Sequence, residues 1–88
     1  METNDDIRDK LERDAARSLN VSMKELPGDL SDMQLDRVLA LAHGTTAVKR
    51  CRGDFPIPSY KIGRARRTPL SAVIDFKLNQ LEAADLAA

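Results

Sequence analysis

The 88-residue sequence predicts a small, mainly helical protein with one β-hairpin. Apolar residues recur at helical spacing in three segments, which are residues 4–19, 31–43 and 69–82. Between the second and third segments, residues 55–58 contain two prolines, which lack a backbone donor and therefore end a helix. Gly63-Arg64 then separates two short extended runs, which is typical of a tight hairpin turn.

The first predicted helix covers residues 4–19, and Thr3 or Asn4 can cap its N-terminus. Its apolar stripe consists of Ile7, Leu11, Ala15 and Leu19. Two interpretations stay open, namely an extra helix packed on the domain and a dimerisation helix. Residues 20–30 form a connection, because Pro27 within Leu26-Pro27-Gly28-Asp29 blocks a continuing helix.

The two later helices carry their own boundary signals. Ser31 and Gln34 have the spacing of a capping box, and Gly44 is expected to end that helix. Thr68-Pro69 has the pattern of an N-cap followed by proline at the first helical position. The alanine-rich tail, residues 83–88, is expected to fray.

Charge is unevenly distributed along a chain whose net charge is zero. Residues 1–44 carry a net charge of −4 and residues 45–88 carry +4. Between residues 45 and 70 there is one anion, Asp54, among seven cations: Lys49, Arg50, Arg52, Lys61, Arg64, Arg66 and Arg67. Such a local excess predicts a surface that binds a polyanion.

Composition argues against several other classes of protein. The single cysteine, Cys51, excludes an intrachain disulfide, and with His43 it falls short of a zinc ligand set. There is no apolar run of membrane-spanning length and no signal-peptide pattern, so we expect a cytoplasmic protein. No nucleophile–base pair or Gly-rich phosphate loop is evident, so we expect no enzyme, no cofactor and no small-molecule ligand.

A short basic helix is predicted from Thr45 to about Arg52, capped by Thr45 or Thr46 and ended by Gly53. Its small and apolar residues, Ala47, Val48 and Cys51, share one face and are expected to be buried. The outward residues would then be Thr45, Thr46, Lys49, Arg50 and Arg52. Arginine reads guanine in a bidentate manner, so this face is expected to meet bases in a major groove.

The hairpin supplies the second basic feature. Ile62 and Tyr60 are expected to face the core while the cations point outward. Arg64, at the tip, suits a narrow minor groove, and Arg66 and Arg67 suit phosphates.

Three motifs together resemble a known family. They are Phe55-Pro-x-Pro, the run Tyr60-Lys-Ile-Gly-Arg-x-Arg-Arg, and Leu70-Ser-x-Val-Ile-x-Phe. This combination is similar to the AlpA/excisionase-type branch of the MerR-like winged helix-turn-helix regulators. The resemblance covers rather more than half of the chain, although family members have a longer interval before the Phe-Pro. It implies a winged helix-turn-helix domain over residues 29–82, preceded by an N-terminal helix and connection over residues 1–28.

The resemblance implies a sequence-specific protein that binds double-stranded DNA without catalysis. Its role would be that of a phage- or plasmid-type transcriptional regulator or of a recombination directionality factor, acting as a homodimer or as a cooperative assembly on DNA. The predicted DNA contacts are Thr45, Thr46, Lys49, Arg50, Arg52, Lys61, Arg64, Arg66 and Arg67. The alternative is a protein-interaction module that uses the N- and C-terminal amphipathic helices.

Overall fold

The computed structural model describes the backbone of residues 3–87 and the side chains of residues 3–84. Met1, Glu2 and Ala88, the ends of the predicted N-terminal region and tail, lie outside the described residues. The elements in chain order are α1 (Asn4–Leu19), a short 3-10 helix (Met23–Glu25), β1 (Asp29–Leu30), α2 (Asp32–Val38), α3 (Thr45–Arg52), β2 (Tyr60–Ile62), β3 (Ala65–Pro69) and α4 (Leu70–Ala87). The prediction of a mainly helical protein with a small β component is confirmed.

The sheet is antiparallel and has the strand order β1-β3-β2. The hairpin is present as predicted, with Ile62 paired to Ala65 and Lys61 paired to Arg66. The third strand, β1, was not predicted, because its two residues are too few to show an alternating pattern. It pairs Leu30 with Thr68 and so joins the start of the domain to the hairpin.

Helix α1 has the predicted boundaries and packs on the rest of the protein. Thr3 caps it, and Asp6 completes a capping box with the Thr3 backbone. Its small residues face inward against α2 and α4, and Ala15 is fully buried. Because Ala15 and Leu19 belong to the main apolar cluster, α1 is part of the core of this fold. The cluster consists of Ala15, Leu19, Leu30, Leu35, Val38, Ile57 and Val73.

Helix α2 begins at the predicted capping box of Ser31 and Gln34 but ends earlier than predicted. The expected end at residue 43 is wrong, since the chain leaves the helix after Val38. Ala40 adopts a positive φ of 56°, and the N–H of Leu41 donates to the carbonyl of Asp36 at 2.7 Å. This is the geometry of a Schellman motif, with alanine where glycine is usual.

Helix α4 starts directly after β3. The predicted N-cap at Thr68 is wrong, because Thr68 lies in the strand and is fully buried. The N–H of Leu70 instead donates to the carbonyl of Gly28 at 2.7 Å. The helix continues past its predicted end at residue 82 to Ala87, so fraying of the tail stays a prediction. Within the described residues, no helix combines the length and the apolar character needed to cross a membrane.

Candidate nucleic-acid interface

Helix α3 packs on the protein through a different side from the one predicted. Ala47, Val48 and Cys51 were expected to be buried, but all three are exposed. The inward side instead holds Thr46, which is fully buried, and Arg50. Residues 46 and 50 are one turn apart, so they form a narrow inward stripe. The helix therefore docks through polar contacts, which an apolar pattern does not reveal.

The N-terminus of α3 is held by the carboxylate of Asp36 on α2. Its two oxygens accept hydrogen bonds from the backbone N–H groups of Gly44 and Thr46, both at 2.8 Å. The predicted capping by Thr45 or Thr46 is wrong, since Gly44 occupies the N-cap position and its φ is 87°. An anion at this end also suits the helix dipole.

Asp36 is buried, yet it favours its charged form. Burial tends to raise the pKa of this carboxyl, but hydrogen bonding from Thr46 and Gly44 outweighs burial and lowers the pKa overall, with a smaller contribution from His43. The cap is therefore a charged group at neutral pH, and α3 is fixed to α2 at its first turn.

Arg50 fixes the other end of α3. Its Nε donates to Asp32 at 2.8 Å, its Nη1 donates to Ser59 at 2.7 Å, and its Nη2 donates to Thr68. The guanidinium carbon lies 4.5 Å from the centre of the Phe55 ring. Only 11% of the side chain is exposed. The predicted outward orientation of Arg50 is wrong, because every guanidinium nitrogen already has a partner inside the protein.

The exposed side of α3 combines cations with small apolar side chains. The exposed residues of this helix are Ala47, Val48, Lys49, Cys51 and Arg52, and Thr45 is partly exposed. Gly53 ends the helix as predicted, with a φ of 75° and an N–H that donates to the carbonyl of Arg50 at 3.0 Å. The face available to a partner therefore keeps Thr45, Lys49 and Arg52 from the prediction.

The hairpin projects beyond the core. Gly63 has a φ of 62° and Arg64 does not have a positive φ, which matches the requirement of a type II′ turn. The predicted burial of Ile62 and Tyr60 is wrong, since Ile62 is 61% exposed and Tyr60 is 38% exposed. The Tyr60 hydroxyl is hydrogen-bonded to Asp29, which raises the pKa of Tyr60.

The hairpin cations divide between the two faces of the sheet, because strand side chains alternate. Lys61 is paired with Arg66, so these two side chains lie on the same face of the sheet. Arg66 is two residues from Thr68 in β3, so Thr68 shares that face, and Arg50 donates to Thr68 from the same side. Arg66 donates to Ser59 at 2.9 Å and so shares an acceptor with Arg50.

Arg67 is paired with Tyr60 and lies on the opposite face. There it lines an open cleft of about 690 Å³ together with Arg37 of α2. Arg67 is thus separated from the cations that lie on the α3 side of the hairpin.

Six of the nine predicted contact residues thus remain exposed or partly exposed on α3 or toward the hairpin tip: Thr45, Lys49, Arg52, Lys61, Arg64 and Arg66. Thr45 and Arg66 are the two that are only partly exposed. Thr46 and Arg50 are withdrawn into the fold. Sequence reasoning missed Asp36, Asp32 and Ser59 as supports of the site, since each lies eight or more residues from its partner on α3.

Comparisons with protein-family models, with curated proteins and with solved structures found no match for this chain. Among the described residues, no group of three or more His, Cys, Asp or Glu side chains is placed to hold a metal ion.

Proposed function

We propose that this protein binds double-stranded DNA in a sequence-specific manner and without catalysis. The binding surface is the basic face, defined here as Lys49 and Arg52 of α3 with Lys61 and Arg64 of the hairpin. In this proposal α2, the turn 39–44 and α3 form a helix-turn-helix, α3 enters the major groove, and the hairpin is a wing that meets backbone or minor groove.

The order of the elements supports a winged helix-turn-helix over residues 29–82. The hairpin follows α3 directly, and both are tied to Ser59 through Arg50 and Arg66. The wing and α3 are thereby held next to each other. The biological role proposed from the family resemblance is regulation of transcription or direction of site-specific recombination, of the phage or plasmid type.

The observation that carries the proposal is the difference between paired and unpaired cations. Four of the arginines elsewhere in the fold are neutralised by acids, in the pairs Arg8–Asp75, Arg13–Asp9, Arg17–Asp14 and Arg50–Asp32. Among the described residues, Arg37, Arg66 and Arg67 are the arginines outside the basic face that make no such pair. Within residues 3–84, the four cations of the basic face make no such ion pair and are exposed. Exposed cations without acidic partners are what phosphate groups neutralise on binding.

Fluorescence anisotropy on a labelled random-sequence duplex tests this proposal. We expect binding at low salt, with a slope of about −3.6 in a plot of log affinity against log salt, since each of the four cations would contribute about −0.9 by contacting one phosphate. Arg52→Ala and Arg64→Ala should each weaken binding and make the slope less steep by about 0.9, the value for one phosphate contact.

Arg17→Ala is the matched control, because it removes the same charge from an 81% exposed side chain on α1. It should bind like the wild type. Absence of binding at low salt would overturn the proposal, and so would an equal loss in Arg17→Ala, which would indicate net charge instead of a defined surface.

The alternative of a protein-interaction module is less well supported. The apolar residues that α1 would offer to a partner are used inside the fold, since Ala15, Ala16 and Leu19 are buried. Leu11 and Leu81 do line a small groove between α1 and α4, but Leu11 is half-buried. A homodimer or a cooperative assembly on DNA stays a prediction.

A further inference from the structure

The outward side of α3 carries an apolar patch that the charge argument leaves unused. It consists of Ala47, Val48 and Cys51, which lie at i, i+1 and i+4 and so share one face. All three are exposed, and Val48 is 48% exposed. The inward side of α3 is formed by Thr46 and Arg50, so this patch serves no packing role among the described residues.

Charge decides which kind of partner fits this patch. Lys49 and Arg52 are interspersed with it on the same short helix, and both are exposed. An apolar protein surface placed here would bury these cations without partners, which is costly. A polyanion that also presents apolar groups can neutralise these cations and also contact the apolar patch.

The major groove of DNA has that combination. Phosphates line it, and the C5-methyl of thymine is the apolar group on its base edges. The amide and acidic side chains that read adenine and cytosine are absent from the α3 sequence, Thr-Thr-Ala-Val-Lys-Arg-Cys-Arg. Arg50 is occupied within the fold, which leaves few groups on this helix for hydrogen-bond readout.

We propose that α3 recognises thymine methyl groups, with Val48 as the main specificity-determining residue and Ala47 and Cys51 beside it. This inference rests on the proposed function and deepens it. The target is duplex DNA that presents thymine at the positions facing α3, while Lys49 and Arg52 hold the flanking phosphates.

The test begins with a bound site selected from a random duplex pool by the full chain. Each thymine of that site is then replaced, one at a time, by deoxyuridine, which removes only the methyl group. We expect affinity to fall about fourfold at one or two positions, the factor that corresponds to about 0.8 kcal/mol per buried methyl-sized group. In Val48→Ala the thymine and deoxyuridine forms of the site should bind equally.

Met33→Ala is the control variant, since Met33 is 64% exposed on α2 and outside the patch. The affinity of this variant should still fall when deoxyuridine replaces thymine in the site. Binding of duplex DNA with no effect at any thymine overturns this inference and leaves the proposed function standing. An effect that persists in Val48→Ala overturns the assignment to Val48, whereas failure to bind any duplex overturns the proposed function itself.

Discussion

Arg50 joins four parts of the molecule through one planar group. It connects α3 to Asp32 at the start of α2, to Thr68 in β3, and to Ser59 and Phe55 in the segment before the hairpin. The fixed fork of donors on a guanidinium suits three acceptors in different directions, which a lysine ammonium does not reproduce. The placement of α3 beside the hairpin therefore depends on this residue.

We expect Arg50→Ala to destabilise the fold by about 2–4 kcal/mol, because it leaves the partly buried Asp32 carboxylate and the buried Thr68 hydroxyl without their donor. Urea unfolding followed by circular dichroism measures this change. Arg52→Ala is the control on the same helix, and since Arg52 is exposed its effect should stay within about 0.5 kcal/mol. Equal stability of the two variants would contradict the structural role of Arg50.

Ala40 contributes to the fold through its backbone conformation. It holds a positive φ of 56° at the end of α2, a conformation that costs a residue with a Cβ about 1–2 kcal/mol. Ala40→Gly should stabilise the protein by about 0.5–1 kcal/mol after the added entropy of the unfolded chain is subtracted. Ala42→Gly, in the same turn but without a positive φ, should instead destabilise it. The shift in urea midpoint should therefore have opposite signs in the two variants.

At the scale of the elements, α3 is positioned by charged groups at both ends and by little apolar contact. Asp36 holds its first turn and Arg50 its last, and both residues act across the boundary with another element. The opposite face is thereby left free for a partner. Helix α2 is tied at its C-terminus as well, where the ammonium of Lys77 on α4 donates to the carbonyl of Val38 at 3.1 Å.

The charged Asp36 cap predicts that the free energy of unfolding depends on pH. Because the pKa of Asp36 is lowered in the folded state, the unfolded state binds more protons as the pH falls below the unfolded value of about 3.9. The contribution of Asp36 to the stability of the fold is present above that pH, and it is lost as the pH falls through the lower pKa that Asp36 has in the folded state.

Asp36→Asn should therefore cost about 1–3 kcal/mol at pH 7, since one of the two backbone N–H groups loses its acceptor. The difference in urea midpoint from the wild type should shrink between pH 5 and the acid limit. Asp54→Asn, an exposed carboxyl just after α3, should show no such difference. A difference for Asp36→Asn that is constant with pH would contradict a charged cap.

At the scale of the whole molecule, features that depend on neighbouring residues were predictable from the sequence. The limits of α1, the capping box of Ser31 and Gln34, and the turn at Gly63 all follow from side chains within a few positions of one another. Features that depend on distant partners were not. Strand β1 exists because Leu30 meets Thr68, and α3 faces as it does because Asp36 and Asp32 reach it from α2.

The candidate site shows the same division. The positive charge of residues 45–70 is visible in the sequence, and it predicts a polyanion surface without any structure. Which cations share that surface is decided by folding, which withdraws Arg50 and turns Arg67 to the other face of the sheet. The apolar patch around Val48 was predicted as core because buried helical faces are normally apolar, and only the polar docking of α3 explains its exposure.

Cys51 offers the most direct test of the proposed DNA-binding surface. It is the one cysteine of the chain, and its thiol is exposed on the outward side of α3, next to Arg52. The rate of its alkylation by a neutral maleimide is measured with increasing duplex DNA, at low salt and again at a salt concentration that abolishes binding. The proposed surface predicts that DNA slows alkylation in proportion to the fraction of protein bound, and that high salt restores the rate. An alkylation rate that stays constant while the duplex saturates the protein would contradict the placement of α3 against DNA.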